Sequence, residues 1–206
     1  MRKYYIIYVA SFILFVAACS LSPKDFGKAY MFALNPVDLE INRNIDETLV
    51  VALPVASIEI DSSRIALIKS GKKWDYYAGA KWSDFLPVLV QDRIVKSLEK
   101  AKLFKRATSD QSGILGDKVL KIEIRSFHAE YKRGIKAPVI KLAMIVSLKN
   151  RLDNMSIISF NISSEVQALE NRKSSIQAAF SEAFNKTQED LVYKLSNYDE
   201  QVKGKD

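Results

Sequence analysis

A chain of 206 residues that is 48% hydrophobic and 27% charged has the composition of a folded globular protein, which excludes disordered and low-complexity classes. Its formal charge of +7 is scattered over lysines and arginines rather than gathered into basic runs interleaved with aromatics, so a nucleic-acid interface is disfavoured. The single cysteine excludes any disulfide within the chain.

The first residues, Met1-Arg2-Lys3, place two cations before the uncharged stretch Tyr4 to Ala18. A basic start, a short apolar centre and small residues before a cut are the parts of an export leader. A membrane-crossing helix needs about 20 apolar residues, more than the roughly fifteen between Lys3 and Cys19. The stretch closes on Val16-Ala17-Ala18-Cys19, which resembles the bacterial lipobox: an aliphatic residue, two small ones and a cysteine. That resemblance implies cleavage between Ala18 and Cys19, a thioether-linked diacylglycerol on the Cys19 sulfur and an acyl chain on its amine. A lone thiol in an oxidising compartment is a liability unless something occupies it. More than one acyl chain makes anchoring stable. Arg2 and Lys3 leave with the leader, and the remaining positive surplus serves solubility or favours anionic headgroups.

Ser20 to Lys28 is polar, carries Pro23 and Gly27, and reads as a tether. Its roughly nine residues span at most about 30 Å. Tyr30 to Leu34 predicts a first strand and Asp38 to Glu47 an acidic loop. Thr48 to Ala56 is a nearly continuous apolar run, the pattern of a strand buried on both faces, with Pro54 near its end. Arg64–Lys69 and Lys73–Tyr77 predict a hairpin around Ser70-Gly71.

A helix from about 84 to 101 follows, with Asp84 as its expected N-cap and Pro87 in its first turn. Leu86, Leu89, Val90, Ile94, Leu98 and Ala101 form one face, and Gln91, Asp92, Lys96, Glu99 and Lys100 the other. Lys102 to Ala107 is a brief strand candidate, and Thr108 to Asp117 a loop. Then come three long strands. Leu120, Ile122 and Ile124 alternate inward in the first, after which the pattern slips by one onto Phe127, Ala129 and Tyr131. Such a slip needs a β-bulge at Arg125-Ser126. Ile140, Leu142, Met144, Val146 and Leu148 are the inward set of the second strand, and Ile158, Phe160 and Ile162 that of the third. Ser174 and Gln177 have capping-box spacing at the head of a last helix, about 175 to 198. The inner face of this helix is predicted to carry Ile176, Ala179, Phe180, Ala183, Phe184, Thr187, Leu191 and Leu195.

These elements predict an α/β fold: one domain with a mixed β-sheet covered by two principal helices. The expected organisation is a leader over 1–18, a lipidated tether over 19–28, the domain over 29–200 and a polar tail over 201–206.

The order of parts resembles the ABC-type transport auxiliary lipoproteins, the group that contains the paraquat-inducible C lipoprotein. The features that carry the likeness are the lipobox, Tyr30-Met31-Phe32-Ala33-Leu34, Leu53-Pro54-Val55, Arg64-Ile65, Tyr76-Tyr77 and Trp82 before a helix ending near Leu103-Phe104. Ser175-Ile176-Gln177-Ala178-Ala179-Phe180 completes it. Ala78-Gly79-Ala80-Lys81 stands where the family has a fuller stretch before its tryptophan. The resemblance implies an envelope lipoprotein that works with an ABC transporter and an MCE-domain protein in lipid traffic between membranes. Ser20, in place of an aspartate after the cysteine, fits release to the outer membrane with the domain in the periplasm; inner-membrane placement and a homo-oligomer stay open.

Convergent reactive groups are not legible. His128, the one histidine, lies in a predicted strand among Arg125, Glu130 and Lys132, and no nucleophile elbow accompanies it. The bland expectation is a partly exposed strand histidine. With Cys19 committed to lipid, no metal site and no cofactor beyond the acyl groups are expected. Trp74, Tyr76, Tyr77 and Trp82 are the candidate partner-binding residues, because Trp and Tyr supply large, stiff contact area. The expected function is a non-catalytic, membrane-anchored adaptor of a transport system. The alternatives are an assembly-factor lipoprotein with no transport role and, more remotely, an anchored hydrolase using His128.

Overall fold

The computed structural model describes residues 29–69 and 73–198. The leader, Cys19, the tether, the Ser70-Gly71 turn and the polar tail lie outside the described residues. The strands are β1 (Tyr30–Phe32), β2 (Ile45–Val51), β3 (Val55–Ala56), β4 (Arg64–Lys69), β5 (Lys73–Trp82), β6 (Phe104–Ser109), β7 (Lys118–Tyr131), β8 (Val139–Asn150) and β9 (Ser156–Gln167). The α-helices are α1 (Leu86–Lys100) and α2 (Lys173–Ser196).

Strand β7 is the spine. Along one edge it pairs antiparallel with β8 from Lys118 to Glu130, and β8 pairs antiparallel with β9. Along the other edge it meets three shorter strands in succession, all parallel: β2 at Lys118–Leu120, β3 at Glu123–Ile124 and β4 at Ala129–Tyr131. Beyond these lie β6, parallel to β2, and the hairpin partner β5, with β1 parallel to β5. This is a mixed, curled sheet of nine strands among the described residues. The two helices cover its inner face, so the architecture is the α/β one that the sequence predicts.

The alternation of β7 depends on one extra residue. Ile124 pairs with Met144, but Ser126 pairs with Ala143, so Arg125 is squeezed out of register. Leu120, Ile122 and Ile124 before the bulge, and Phe127 and Ala129 after it, are therefore all buried on one face. The predicted inward set of β8 is fully buried, as are Ile158 and Ile162 of β9, while Phe160 is half-buried. β2 is buried on both faces from Leu49 to Val51, as its continuous apolar run predicts, and it begins at Ile45, inside the expected acidic loop.

The run Thr48 to Ala56 is broken at Ala52-Leu53-Pro54, and the break explains a second departure. Gln91, expected on the solvent face of α1, is buried instead. Its Nε2 donates to the Val51 carbonyl at 2.9 Å and to Asp110 Oδ1 at 2.8 Å. The Asp110 carboxylate also accepts the Leu53 N–H at 3.0 Å. A strand that ends inside the fold leaves backbone groups that need partners, and these two side chains supply them. Helix starts also differ from expectation. α1 begins at Leu86 after an N-cap at Phe85, while Asp84 Oδ1 accepts only the adjoining Phe85 N–H. α2 begins at Lys173 after Arg172, so Ser174 lies inside the helix and makes no capping box; Ser175 Oγ instead accepts the Glu170 N–H.

Every residue of the predicted inner face of α2 is buried, and Gln188, Val192 and Ser196 join them. Phe180 and Phe184 meet Phe127 of β7, closing the core between helix and sheet.

Candidate functional site

Two regions hold the candidate residues: the aromatic hairpin β4–β5, and the end of the fold where the chain leaves toward Cys19. The hairpin carries Trp74, Tyr76, Tyr77 and Trp82, and its geometry divides them. Between the pairs Arg64↔Lys81 and Ala66↔Tyr76, β5 has more residues than β4, and the excess is absorbed where Gly79 adopts φ +63°. A left-handed residue in a strand is a bulge site suited to glycine. The bulge resets the alternation, so Tyr77 and Trp82 both face the core, although they are an odd number of residues apart.

Trp82 is 1% exposed and packs edge-on against Phe32, Phe127 and Phe180 at centroid distances of 5.7, 5.5 and 5.1 Å. It is a core residue that pins β5 to α2. Tyr77 is half-buried, with its hydroxyl 3.0 Å from that of Tyr131, which in turn donates to Asn171 Oδ1 at 2.7 Å. Burial and the Tyr131 hydrogen bond push the Tyr77 phenol well above its ordinary pKa. Trp74 and Tyr76 face the opposite way, onto the outer side of the sheet, with Tyr76 half-buried and Trp74 37% exposed. The Arg64 guanidinium lies 3.5 Å from the centroid of the Tyr76 ring.

Strand β7 places His128 on that same outer side. The sequence predicts a partly exposed histidine, yet His128 is only 6% exposed, because the Trp74 ring covers it edge-on at 5.1 Å. Its Nδ1 is buried without a hydrogen-bond partner. Desolvation holds the imidazole below its ordinary pKa, outweighing Glu130, which acts in the opposite sense. Lys141, across the β7–β8 ladder from His128, bridges Glu130 at 2.7 Å and Glu165 at 3.6 Å. The hydrogen bond to Lys141 holds the Glu130 carboxyl below its ordinary range, and the same bond raises Lys141. Burial thus disfavours the charged imidazole, and the neighbouring Glu130 carboxylate is paired with Lys141. Among the described residues no group of three or more His, Cys, Asp or Glu converges as a metal site would require.

The other region is the amino-terminal end of the described residues. β1 lies along β5 through Tyr30↔Ala80 and Phe32↔Trp82, and the chain then runs as a strap over both helices. Ser181 Oγ of α2 donates to the Ala33 carbonyl at 3.3 Å, and Arg93 Nε of α1 to the Leu34 carbonyl at 2.6 Å. Gln188 Nε2 of α2 donates to the Asn35 carbonyl at 3.0 Å, and the Val37 N–H donates to Ser97 Oγ of α1 at 2.9 Å. Leu34 and Val37 are buried, and Ser97 Oγ lies 2.6 Å from Gln188 Oε1, where it links the two helices. A load applied at Tyr30 is thus carried by a strand pairing and by both helices together. The sequence shows the first strand but not the strap, because its polar partners come from positions about 60 to 150 residues away.

No helix among the described residues is long and apolar enough to cross a membrane. No family model matches the chain, and no curated protein matches it. Its structure is similar to that of protein XCC0632 from Xanthomonas campestris, described with the family model DUF330. The TM-score is 0.78 at 21% identity, covering 85% of this chain and 99% of that one. An uncharacterized protein gives a TM-score of 0.60 at 12% identity, covering 82% and 99%. A more distant likeness is lipoprotein GNA1162 from Neisseria meningitidis, at a TM-score of 0.37 and 11% identity, covering 73% and 98%. The first two likenesses establish that this α/β fold is a recurring one, built over nearly the full length of each of those chains.

Proposed function

We propose that this chain is an envelope lipoprotein, acylated at Cys19, that serves as a non-catalytic adaptor of an ABC/MCE-type lipid-transport system. The observation that carries the reading is the coupling of two features. Val16-Ala17-Ala18-Cys19 closes a leader too short to span a bilayer. A short tether later, the chain enters a strand and strap tied to both helices. That arrangement suits a domain held from its amino end.

The order of elements fits the auxiliary-lipoprotein resemblance. An early strand, the Leu53-Pro54 break, the Arg64 hairpin, Trp82 before a helix and an Ala/Phe-rich final helix all occur in the expected sequence. The adaptor acts by position: acyl chains fix one end in the outer membrane, and the body faces the periplasm toward its partners. Trp74, exposed on the outer side of the sheet, and the half-buried Tyr76 beside it are the partner-contact residues in this reading. His128, enclosed beneath Trp74, serves packing rather than proton transfer.

Gentle solubilisation of membranes followed by affinity capture of the tagged protein tests the proposal. Recovery of an MCE-domain protein together with its ATPase is the expected result. Recovery of outer-membrane assembly proteins alone would replace it with the assembly-factor reading. Loss of a hydrolytic activity in His128→Ala would overturn the non-catalytic view.

A further inference from the structure

The positive surplus of the chain is gathered at one end of the fold. The pair Lys69↔Tyr131 sets the end of the β4–β5 hairpin beside the end of β7. Tyr131 Oη donates to Asn171 Oδ1 at 2.7 Å, and the Ala168 N–H donates to the Pro138 carbonyl at 3.0 Å. Three connections, at the hairpin end, between β7 and β8, and between β9 and α2, are thereby tied into one tip. The described residues among 69–75, 132–138 and 168–173 hold seven lysines and arginines against two carboxylates, Asp75 and Glu170. Lys69 pairs with Asp75, Arg172 pairs with Glu170, and Lys173 Nζ donates to the Gly79 carbonyl at 2.9 Å. The exposed side chains of Lys73, Lys132, Arg133 and Lys136 make no hydrogen bond or ion pair among the described residues. Glu130 and Glu165, further down β7 and β9, share Lys141 and leave this surplus in place.

Apolar side chains stand among these cations. Ile135 is 46% exposed and Leu169 93%. The Ile135 N–H closes a β-turn onto the Lys132 carbonyl at 3.1 Å, with Gly134 at φ +81°, so Arg133 and Gly134 form its apex. We propose that this tip docks on a bilayer surface of anionic phospholipid, with Lys73, Lys132, Arg133 and Lys136 on the headgroup phosphates and Ile135 and Leu169 at the boundary beneath them. Charge complementarity selects the sign of the occupant. The aliphatic side chains beside the cations select a lipid surface over an acidic protein, because only the former sets hydrocarbon directly behind its anions. Each lysine or arginine brought near such a surface strengthens partitioning about five-fold, so the contact depends on anionic lipid and on salt.

Strand direction agrees with this side of the domain. β1 runs parallel to β5 with Tyr30 opposite Ala80, so the chain reaches Tyr30 from the Lys73 end of β5. A membrane that holds the amino end and a membrane beneath this tip can therefore be the same one, and to that extent the orientation rests on acylation at Cys19. The opposite end of β7, about 45 Å away along the strand, carries no such surplus. There the loop 113–117 and the turn 151–155 hold Asp117 and Asp153 against Arg151 alone. The exposed Leu152 and Met155 of that turn point away from the bilayer in the proposed orientation.

The test uses the acylated mature protein on phosphatidylcholine vesicles, with and without a fraction of phosphatidylglycerol. The Cys19 sulfur is occupied by lipid, so Ile135→Cys, Leu169→Cys and Leu152→Cys each offer one thiol for a spin label. Collision with a neutral, water-soluble nickel chelate reports shielding, and near-UV circular dichroism checks the fold of each variant. On anionic vesicles the expected collision rate is several-fold lower at 135 and 169 than at 152. That difference should vanish on neutral vesicles, at high salt, and when Lys132→Glu, Arg133→Glu and Lys136→Glu are combined. Labels at 135 and 169 as accessible as that at 152 on anionic vesicles would overturn the docking while leaving the anchor intact. Shielding that persists on neutral lipid or after charge reversal would overturn headgroup recognition. If the labels stay accessible on anionic vesicles while charge reversal abolishes capture of the transport partner, the tip belongs to an acidic protein surface instead. Protein that does not float with neutral vesicles would overturn the anchor and, with it, this orientation.

Discussion

Replacing Trp82 by alanine separates a core role from a surface one. Trp82 is 1% exposed, and the three rings it meets edge-on, Phe32, Phe127 and Phe180, are themselves fully buried. A cavity opened there has β1, β7 and α2 as walls, all fixed by backbone pairing or by the length of the helix, so it cannot collapse readily. Trp→Ala substitutions in such cores cost about 3–5 kcal/mol, and the closed surroundings place this one near 4. A domain stabilised by about 5–15 kcal/mol survives that loss only marginally. With a urea dependence of about 2 kcal/mol per molar, the unfolding midpoint falls by about 2 M. The assay is urea unfolding of the chain from Ser20 onward, followed by far-UV circular dichroism. Trp74→Ala is the control: that side chain is 37% exposed and its loss costs under about 1.5 kcal/mol. A midpoint shift below 0.5 M for Trp82→Ala, or equal shifts for the two variants, would refute the assignment of Trp82 to the core.

Deleting Arg125 is expected to abolish folding, because it removes the bulge and turns Phe127 and Ala129 outward, whereas Arg125→Ala costs under about 1 kcal/mol; a soluble, cooperatively unfolding deletion variant would contradict the register. His128 is held below its ordinary pKa by burial, so the unfolded chain binds a proton that the folded one resists. Stability is fully present above about pH 6.5 and falls as pH drops through the window below it. His128→Gln flattens that slope between pH 7 and 5.5, above the range where Glu130 protonates; an unchanged slope in thermal melts would contradict the buried neutral imidazole. Gln188→Leu strands the Asn35 carbonyl and removes the link from Ser97 Oγ to α2, leaving that hydroxyl on the Arg93 carbonyl alone as acceptor, at a cost of about 1–3 kcal/mol. Amide exchange at Val37, protected in the parent chain, should rise in that variant, and unchanged protection would show that the strap does not depend on Gln188.

Much of the core was legible because burial is periodic. The slip between Ile124 and Phe127 announces the bulge, and the five inward residues of β8 alternate without error. What the sequence hides is set by distant partners. Gln91 has the local signature of a solvent-facing helix residue, and the Val51 carbonyl at the end of β2 together with Asp110, both distant in sequence, draws it inward. Trp74 and Trp82 look alike in sequence; the left-handed Gly79 between them decides that one closes the core and the other lies on the outer face. His128 is buried by Trp74, a ring from the hairpin and not from its own strand, so alternation along β7 understates its enclosure. Ser174 and Gln177 have the right spacing for a cap, but α2 starts at Lys173 and takes them into its first turns. The exposed Phe85 had a signal that pattern analysis passes over: it precedes Leu86 yet falls outside the stripe that continues through Leu89 and Val90.

The central claim is a lipid-held adaptor, and intact mass measurement of the protein extracted from native membranes tests it most directly. The account predicts a polypeptide beginning at Cys19, heavier by a thioether-linked diacylglycerol and an amide-linked acyl chain. A protein that retains residues 1–18, or one that begins at Cys19 with a free thiol, would contradict it.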